Sequence, residues 1–542
     1  AYQELIRAVD LKPDFIKARY EVARIQVMTK QLKEAKEHLA KLREQNRNAD
    51  ETRYLAASIA VAEGELDKAI TELNEIAKKD PKNAKVYIDI GRIQSTKKEY
   101  RLAEEAFRKA SEVDPKLAAA PVAMAQLYMA MGETKKAQDE LINATKADPE
   151  NEDLVNVLGM FYSATGQIDE MEKIFQGVLK KNSNSIVAKK RLAEIYLTKN
   201  DVNQAKPLIE HILKRNPDDA DGLYYRGRAN LAERKFKEAY DDLTAATRSM
   251  PQFAAAHFFL GMASASVRKI AEAKKSYARA AELAPNWVVP HVTLAQLYFS
   301  GGELDFAIAE ADKSLTLQKN NLAALLVVAG VHLAKGELEK SLAIYKSIQA
   351  GQPTSEAAAF NIGTIYRLQK KYSQAIDEFE KLLLVNPDHI DALSGIAQSE
   401  LLRGNPTAAL DRVKSQIAKA KRQAPVYELM GKLQLAAKKY PDAIASLETA
   451  VRLDAERGSA YYLLGQVYTE QKQFDSAMAQ YQQLIKKSPN LVPPHMMMAI
   501  LYELKKETPK ANEYYKKVLD LNKNFALAAN NLAWNYAEYG GN

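Results

Sequence analysis

Residues 455–489 read AERGSAYYLLGQVYTEQKQFDSAMAQYQQLIKKSP. Gly465 lies ten residues after Ala455, Ala477 twenty-two and Tyr481 twenty-six, and Pro489 closes a span of 34. Stepping outward by 34 residues meets the same features again. Pro13, Pro81, Pro115, Pro149, Pro217, Pro251, Pro285, Pro353, Pro387 and Pro489 fall on one grid. Arg47, Ser183, Lys319, Lys421, Ala455 and Lys523 occupy the intervening points, so sixteen grid points run without an insertion or deletion. A fixed period of this length marks a stack of identical supersecondary elements.

Positions are counted below from the grid point of each repeat. Position 10 is Gly or Ala in all sixteen, from Ala23 to Ala533. Position 22 is Ala except at Met171 and Ser341, and position 26 is usually bulky, as in Phe107, Phe175, Tyr277, Tyr345, Phe379 and Tyr481. Small side chains are needed where two helix backbones cross closely, and side chains four apart share one helix face. Position 17 is Gly64, Gly132, Gly166, Gly302, Gly336, Gly404 or Asn200, and often Lys elsewhere. Gly and Asn tolerate the left-handed conformation that ends a helix. The grid prolines often follow Asp, Asn or Ser, as in Asp80-Pro81 and Asn216-Pro217, and proline cannot continue a helix interior. Each repeat therefore predicts helix A, a tight turn, helix B and a loop. The repeats at Lys319, Lys421 and Ala455 lack the proline and are weaker.

The composition suits a folded, water-exposed chain: 542 residues, 47% hydrophobic, 27% charged, net charge +8. With no cysteine, disulfides, cysteine metal sites and cysteine nucleophiles are excluded. The longest apolar runs, such as residues 325–334, are about half the length of a membrane-spanning helix. Ala1 stands first and no charged n-region with an apolar stretch follows it, which suggests a processed product or a start inside a longer protein.

The repeat resembles the tetratricopeptide repeat (TPR). The family pattern is carried by Leu158-Gly159-x2-Tyr162 and Leu464-Gly465-x2-Tyr468, with the tyrosine again at Tyr128, Tyr196, Tyr298, Tyr366, Tyr502 and Tyr536. The resemblance implies an all-α solenoid, a right-handed superhelix with a concave groove lined mainly by helix A. One continuous solenoid over residues 1–542 is expected. It would comprise a helix B half repeat (1–13), fifteen complete repeats (14–523) and a helix A half repeat (524–542).

Little chemistry is visible. The seven histidines form no zinc motif, and no phosphate loop or nucleophile elbow appears. The lysine pairs Lys97/Lys98, Lys438/Lys439 and Lys505/Lys506 sit near helix ends, where cations complement the dipole. Acidic residues interrupt every basic run, so nucleic acid is not an expected partner. No enzyme activity, cofactor or metal site is expected.

The groove is the expected functional surface. By resemblance its lining comes from positions 7, 11 and 14. The candidates are Tyr224, Phe258, Met262, Val292, Gln296, Phe299 and Leu333, aromatic and thioether-rich side chains suited to a protein or peptide partner. Packing between adjacent helices is the alternative for each of them. The chaperone-type carboxylate clamp and the asparagine ladder of glycosyltransferase-linked TPRs are both missing at their expected positions.

The half repeats at the two ends leave Ala1, Leu5 and Ala8 on one side and Leu532, Ala533 and Tyr536 on the other. Either further repeats adjoin them, or one copy docks head-to-tail on the next and builds a filament. The closing segment Asn530-Asn531-Leu532-Ala533-Trp534, then Tyr536-Ala537-Glu538, resembles the TPR lipoproteins of bacterial PEP-CTERM/exosortase systems. That resemblance implies a scaffold in a cell-envelope or exopolysaccharide export assembly, periplasmic or extracellular, with the cytoplasm as the alternative.

Overall fold

A computed structural model describes residues 2–46 and 49–540. Among them are 32 helices and no strand, an all-α solenoid of helix-turn-helix repeats. The grid sets the helix boundaries. Helix A begins three residues after the grid point, as in Ile16–Met28, Asp50–Ala62, Gly458–Glu470 and Val492–Leu504. Helix B begins at position 19, as in Leu66–Lys79, Tyr100–Val113 and Phe474–Lys487. The chain divides into two compact units, Ala1–Ser276 and Tyr277–Asn542. In each unit helix A packs on its own helix B, and helix B on the helix A that follows.

The small and large positions meet each other. A Cβ added to Gly91 would lie 2.5 Å from the Phe107 ring, and one added to Gly159 2.6 Å from the Phe175 ring. The position-26 side chain therefore lies directly on position 10 of its own repeat. Position 22 is buried throughout the interior repeats. Ser341, the one serine there, donates from its hydroxyl to the Ala329 carbonyl at 2.8 Å, so its polar atom is satisfied.

The turns are built alike. The position-18 amide donates to the position-13 carbonyl, as Glu99 does to Gln94 at 2.9 Å, which satisfies an orphan carbonyl at the end of helix A. Position 17 is left-handed whether it is Gly64 (φ 79°) or Lys98 (φ 63°). The residue before the grid point closes the other loop: the Asp80 and Asp114 carboxylates accept from the amides of Lys82 and Lys116, each at 3.1 Å. Asn83 and Asn151 then cap helix A by accepting from the amides of Val86 and Leu154.

The lysine pairs at the turns divide their roles. Lys97, Lys199, Lys335 and Lys505 at position 16 each pair with Asp67, Asp169, Asp305 and Asp475 of the preceding repeat, at 2.5–2.6 Å. These bridges are exposed at the aspartate, where solvent and salt screen them. Their neighbours Lys98 and Lys506 supply the left-handed turn. Such a conformation costs a side-chain-bearing residue roughly 1–2 kcal/mol, against about 0.5–1 kcal/mol of extra chain entropy for glycine. Lys98→Gly should therefore raise stability by about 0.5–1 kcal/mol, read as a higher urea midpoint at unchanged slope.

The repeats at Lys319, Lys421 and Ala455, three of those without a grid proline, differ among themselves. Helix A starts in register after Lys319 and Ala455, at Leu322 and Gly458. Ahead of Lys421, helix B spans only Pro406–Gln416, 11 residues against 14 elsewhere in the unit. There Gln416 is buried and its amide donates to the Pro387 carbonyl at 2.6 Å, while the Arg422 amide donates to the Asp388 carboxylate at 3.0 Å. Side-chain bonds thus replace the last helical turn.

Candidate functional site

The expected groove residues fall in both units and take different places. In the first unit Tyr224, on helix Ala220–Ala232, is only 4% exposed. Its ring packs 5.0 Å from Phe253 and 5.9 Å from Phe259, both brought in by the next repeat. Burial raises the Tyr224 phenol above its ordinary value, and Arg228 opposes that shift. Phe258 is half-buried with its ring 5.5 Å from Phe259. Met262 stays 37% exposed. In the second unit Val292 is buried at 8% exposure, while Gln296 is exposed. Phe299 is half-buried over Gly330, where an added Cβ would lie 2.7 Å from the ring, and Leu333 is half-buried. Tyr224 and Val292 therefore serve packing between repeats, and Met262 and Gln296 offer surface.

The accessible line of helix A is position 11. Met160 there is 57% exposed and Trp534 65%. The arginines of this line include Arg24, paired with Glu21 at 2.8 Å, and Arg92, facing Asp89 at 3.8 Å. Arg228 instead lies 4.8 Å over the Phe259 ring and 5.4 Å over that of Tyr224.

Two clefts open beside this line at equivalent positions. One, of about 330 Å³, is lined by Met160, Ser163, Ile168, Arg191, Glu194 and Thr198. The other, of about 360 Å³, is lined by Leu435, Tyr440, Gln466, Thr469, Glu470 and Met497. The sequence pattern pointed to position 11, which Met160 and Gln466 occupy. It missed positions 15 and 19, Ala164 and Ile168 or Ala436 and Tyr440, which form the cleft walls. The period alone could have found them, because both clefts repeat the same offsets.

The histidines at position 6 are structural. His257 and His495 donate from Nε2 to the carbonyls of Pro251 and Pro489, at 3.1 and 2.7 Å. His291 meets Glu310 at 2.7 Å instead. Among the described residues no group of His, Asp and Glu is placed to hold a metal ion, and no helix is long and apolar enough to cross a membrane.

At the two ends, Leu5 and Ala8 are half-buried, Leu532 and Tyr536 likewise, and Ala533 is exposed. Ala1 lies outside the described residues.

Family profiles described as tetratricopeptide repeat match residues 34–88, 96–159, 162–228, 254–286, 357–389 and 429–491, together more than half of the chain. The chain belongs to the tetratricopeptide repeat family. TPR proteins act as protein-interaction scaffolds, and the TPR fold is typically non-catalytic. No curated protein matches this TPR chain in sequence. Among solved structures it is similar to a chain of the APC/C hetero-tetramer Cut9-Hcn1. Identity is 13%, over 90% of this chain and 96% of that one, with a TM-score of 0.42. It is also similar to a chain of Naa15/Naa10 bound to HypK-THB, with 15% identity, 96% of each chain covered and a TM-score of 0.34. MamA is 25% identical over 30% of this chain and 96% of its own, with a TM-score of 0.27.

Proposed function

We propose that this TPR protein is a non-catalytic scaffold that takes protein or peptide partners on the helix A surface. The observation that carries this is the position-11 line, where Met160 and Met262 remain exposed in a chain that buries positions 10, 22 and 26 in its interior repeats. Exposed thioethers beside clefts adapt to apolar side chains of a partner, and the flanking Arg191, Glu194 and Thr198 supply polar contacts at the rim. The unbroken 34-residue period across both units supports one continuous array as the scaffold. The resemblance of residues 530–538 to the exosortase-system lipoproteins supports reading it as part of a bacterial envelope or exopolysaccharide export assembly, on the periplasmic or extracellular side.

Met160→Glu combined with Met262→Glu should abolish capture of partners from an envelope fraction while leaving helix content unchanged. Each carboxylate would have to be desolvated unpaired in the complex. Capture that survives both substitutions would overturn the proposal.

One observation favours a second reading, a structural protein that polymerises head-to-tail. In the interior repeats the position-26 side chain covers position 10. Ala533 is an exposed position 10, and Leu5 is a position 26 that is only half-buried. A second copy that set its Leu5 on Ala533 would remake this contact in a heterologous, non-closing arrangement. Light scattering that grows with protein concentration, and does not for Leu5→Glu, would support it. A single monomeric species at every concentration would overturn it.

A further inference from the structure

Position 13 of helix A is tyrosine in eight repeats and a polar side chain in seven, and Ala60 alone is neither. The tyrosines share a seat. Their hydroxyls reach position 23 or 27 of the preceding helix B. Tyr128 donates to the Glu104 carboxylate at 3.0 Å and Tyr468 to that of Glu448 at 3.3 Å, while Tyr196 accepts from the Gln176 amide at 3.1 Å. Position 21 of the same repeat covers the ring. Lys136 lies 5.6 Å over Tyr128, and Lys510 lies 5.3 Å over Tyr502. Each of these lysines is steadied by position 18, Lys136 by Glu133 at 2.6 Å and Lys510 by Glu507 at 2.8 Å.

The repeat that starts at Arg47 keeps the seat and leaves it open. A cleft of about 480 Å³ is lined there by Ala60, Glu65 and Lys68, at positions 13, 18 and 21, and by Lys36 and Ala40, at positions 23 and 27 of the preceding helix B. These are the positions that surround a tyrosine ring elsewhere. Buried Leu39, Ala56 and Ile59 add an apolar floor. Lys68 makes the usual pair with Glu65 at 2.8 Å, although position 13 of its repeat is alanine. The volume falls within the range of ligand pockets, about 300–1,000 Å³. The three helices that form it, Leu32–Asn46, Asp50–Ala62 and Leu66–Lys79, all belong to the first unit.

We propose that this cleft takes a tyrosine side chain presented by a partner protein. The chemistry of the occupant is the one the chain itself uses at the equivalent seats, where Tyr128, Tyr196, Tyr468 and Tyr502 lie. The ring covers Leu39 and Ile59, and the Lys68 ammonium attracts its face. The phenol oxygen accepts from Lys36, and its O–H donates to Glu63, the carboxylate paired with Lys36. The charges at the rim are balanced, Lys36 by Glu63, Arg43 by Glu72 and Lys68 by Glu65, which suits a neutral phenol rather than a phosphorylated one. Position 11 takes no part in the lining, so this site and the helix A surface stand or fall separately.

The test follows the methyl groups of Ala40, Ile59 and Ala60 by NMR in the full chain. The probe is N-acetyltyrosine amide, with N-acetylalanine amide as the control and p-cresol as the free ring. A saturable upfield shift of these methyls by the tyrosine amide, at about millimolar concentration, is the expected result. Ala60→Tyr supplies the ring from the chain itself and should abolish that response at Ala40 and Ile59 with helix content retained. Lys68→Gln, at an exposed position, should weaken binding about two- to fivefold. No saturable shift, or unaltered affinity in either variant, would overturn the proposal. Saturation by p-cresol and not by the tyrosine amide would overturn it as well, by assigning the cleft to a free phenol.

Discussion

Phe379→Ala should lower the stability of the second unit by about 3–5 kcal/mol, the range for deleting a buried aromatic side chain. Phe379 is 1% exposed at position 26 of its repeat. Its ring is bounded on two sides by glycine. A Cβ added to Gly363, on helix A of the same repeat, would lie 2.7 Å from it, and one added to Gly395, on helix A of the next, 2.6 Å. One side chain therefore holds three helices together: Glu356–Leu368, Tyr372–Val385 and Ile390–Leu402. Phe360 adds a tilted ring 5.7 Å away. Alanine would leave a void that none of these helices can fill by relaxing, since glycine has no side chain to move into it. Stability in a repeat array is close to a sum of repeat and neighbour terms, so the loss should be concentrated in this stretch. Hydrogen exchange should accelerate across residues 356–402 ahead of the rest of the unit, and urea melts should shift to a lower midpoint. A loss under about 1 kcal/mol would mean that the two glycine contacts do not hold the ring as described.

The period, the helix order and the helix starts were legible because each has a local cause. Position 10 must be small for position 26 to lie on it, and both signals stand in the sequence at a constant spacing. The turns were half legible. Gly64 and Asn200 announce a left-handed residue, but Lys98, Arg234 and Lys438 adopt the same φ because the helices on either side impose it. Nothing in a lysine side chain foretells that. The groove was less legible still. Tyr224 and Met262 both belong to helix A positions that resemble a lining, yet Tyr224 is covered by Phe253, which arrives from the following loop. Whether a position-7 residue is surface or packing is decided by its neighbours in the next repeat.

Gly465→Val should lower stability by about 1–3 kcal/mol, the usual range for overpacking a well-filled core. Glycine inside a helix is ordinarily a weakness, and valine is a slightly better helix former, by a few tenths of a kcal/mol. Propensity alone therefore predicts a small gain for helix Gly458–Glu470. Packing opposes it. A Cβ at residue 465 would sit 2.5 Å from Cζ and 2.6 Å from Cε1 of Tyr481, a fully buried ring. An aromatic ring cannot bend aside as a long flexible side chain can, and Tyr462 closes off one retreat at 5.7 Å. The clash must push helix Phe474–Lys487 outward, at the cost of its contacts. Gly177→Ala separates the two effects. Gly177 lies in helix Ile168–Lys181 with open space where a Cβ would go, so there propensity acts alone and stability should rise by up to about 1 kcal/mol. Trimming the ring should rescue the overpacked variant: Gly465→Val with Tyr481→Leu should be less destabilised than the two single changes combined. If the double variant instead shows the simple sum, the valine and the ring are not in contact, and position 10 is small for some other reason.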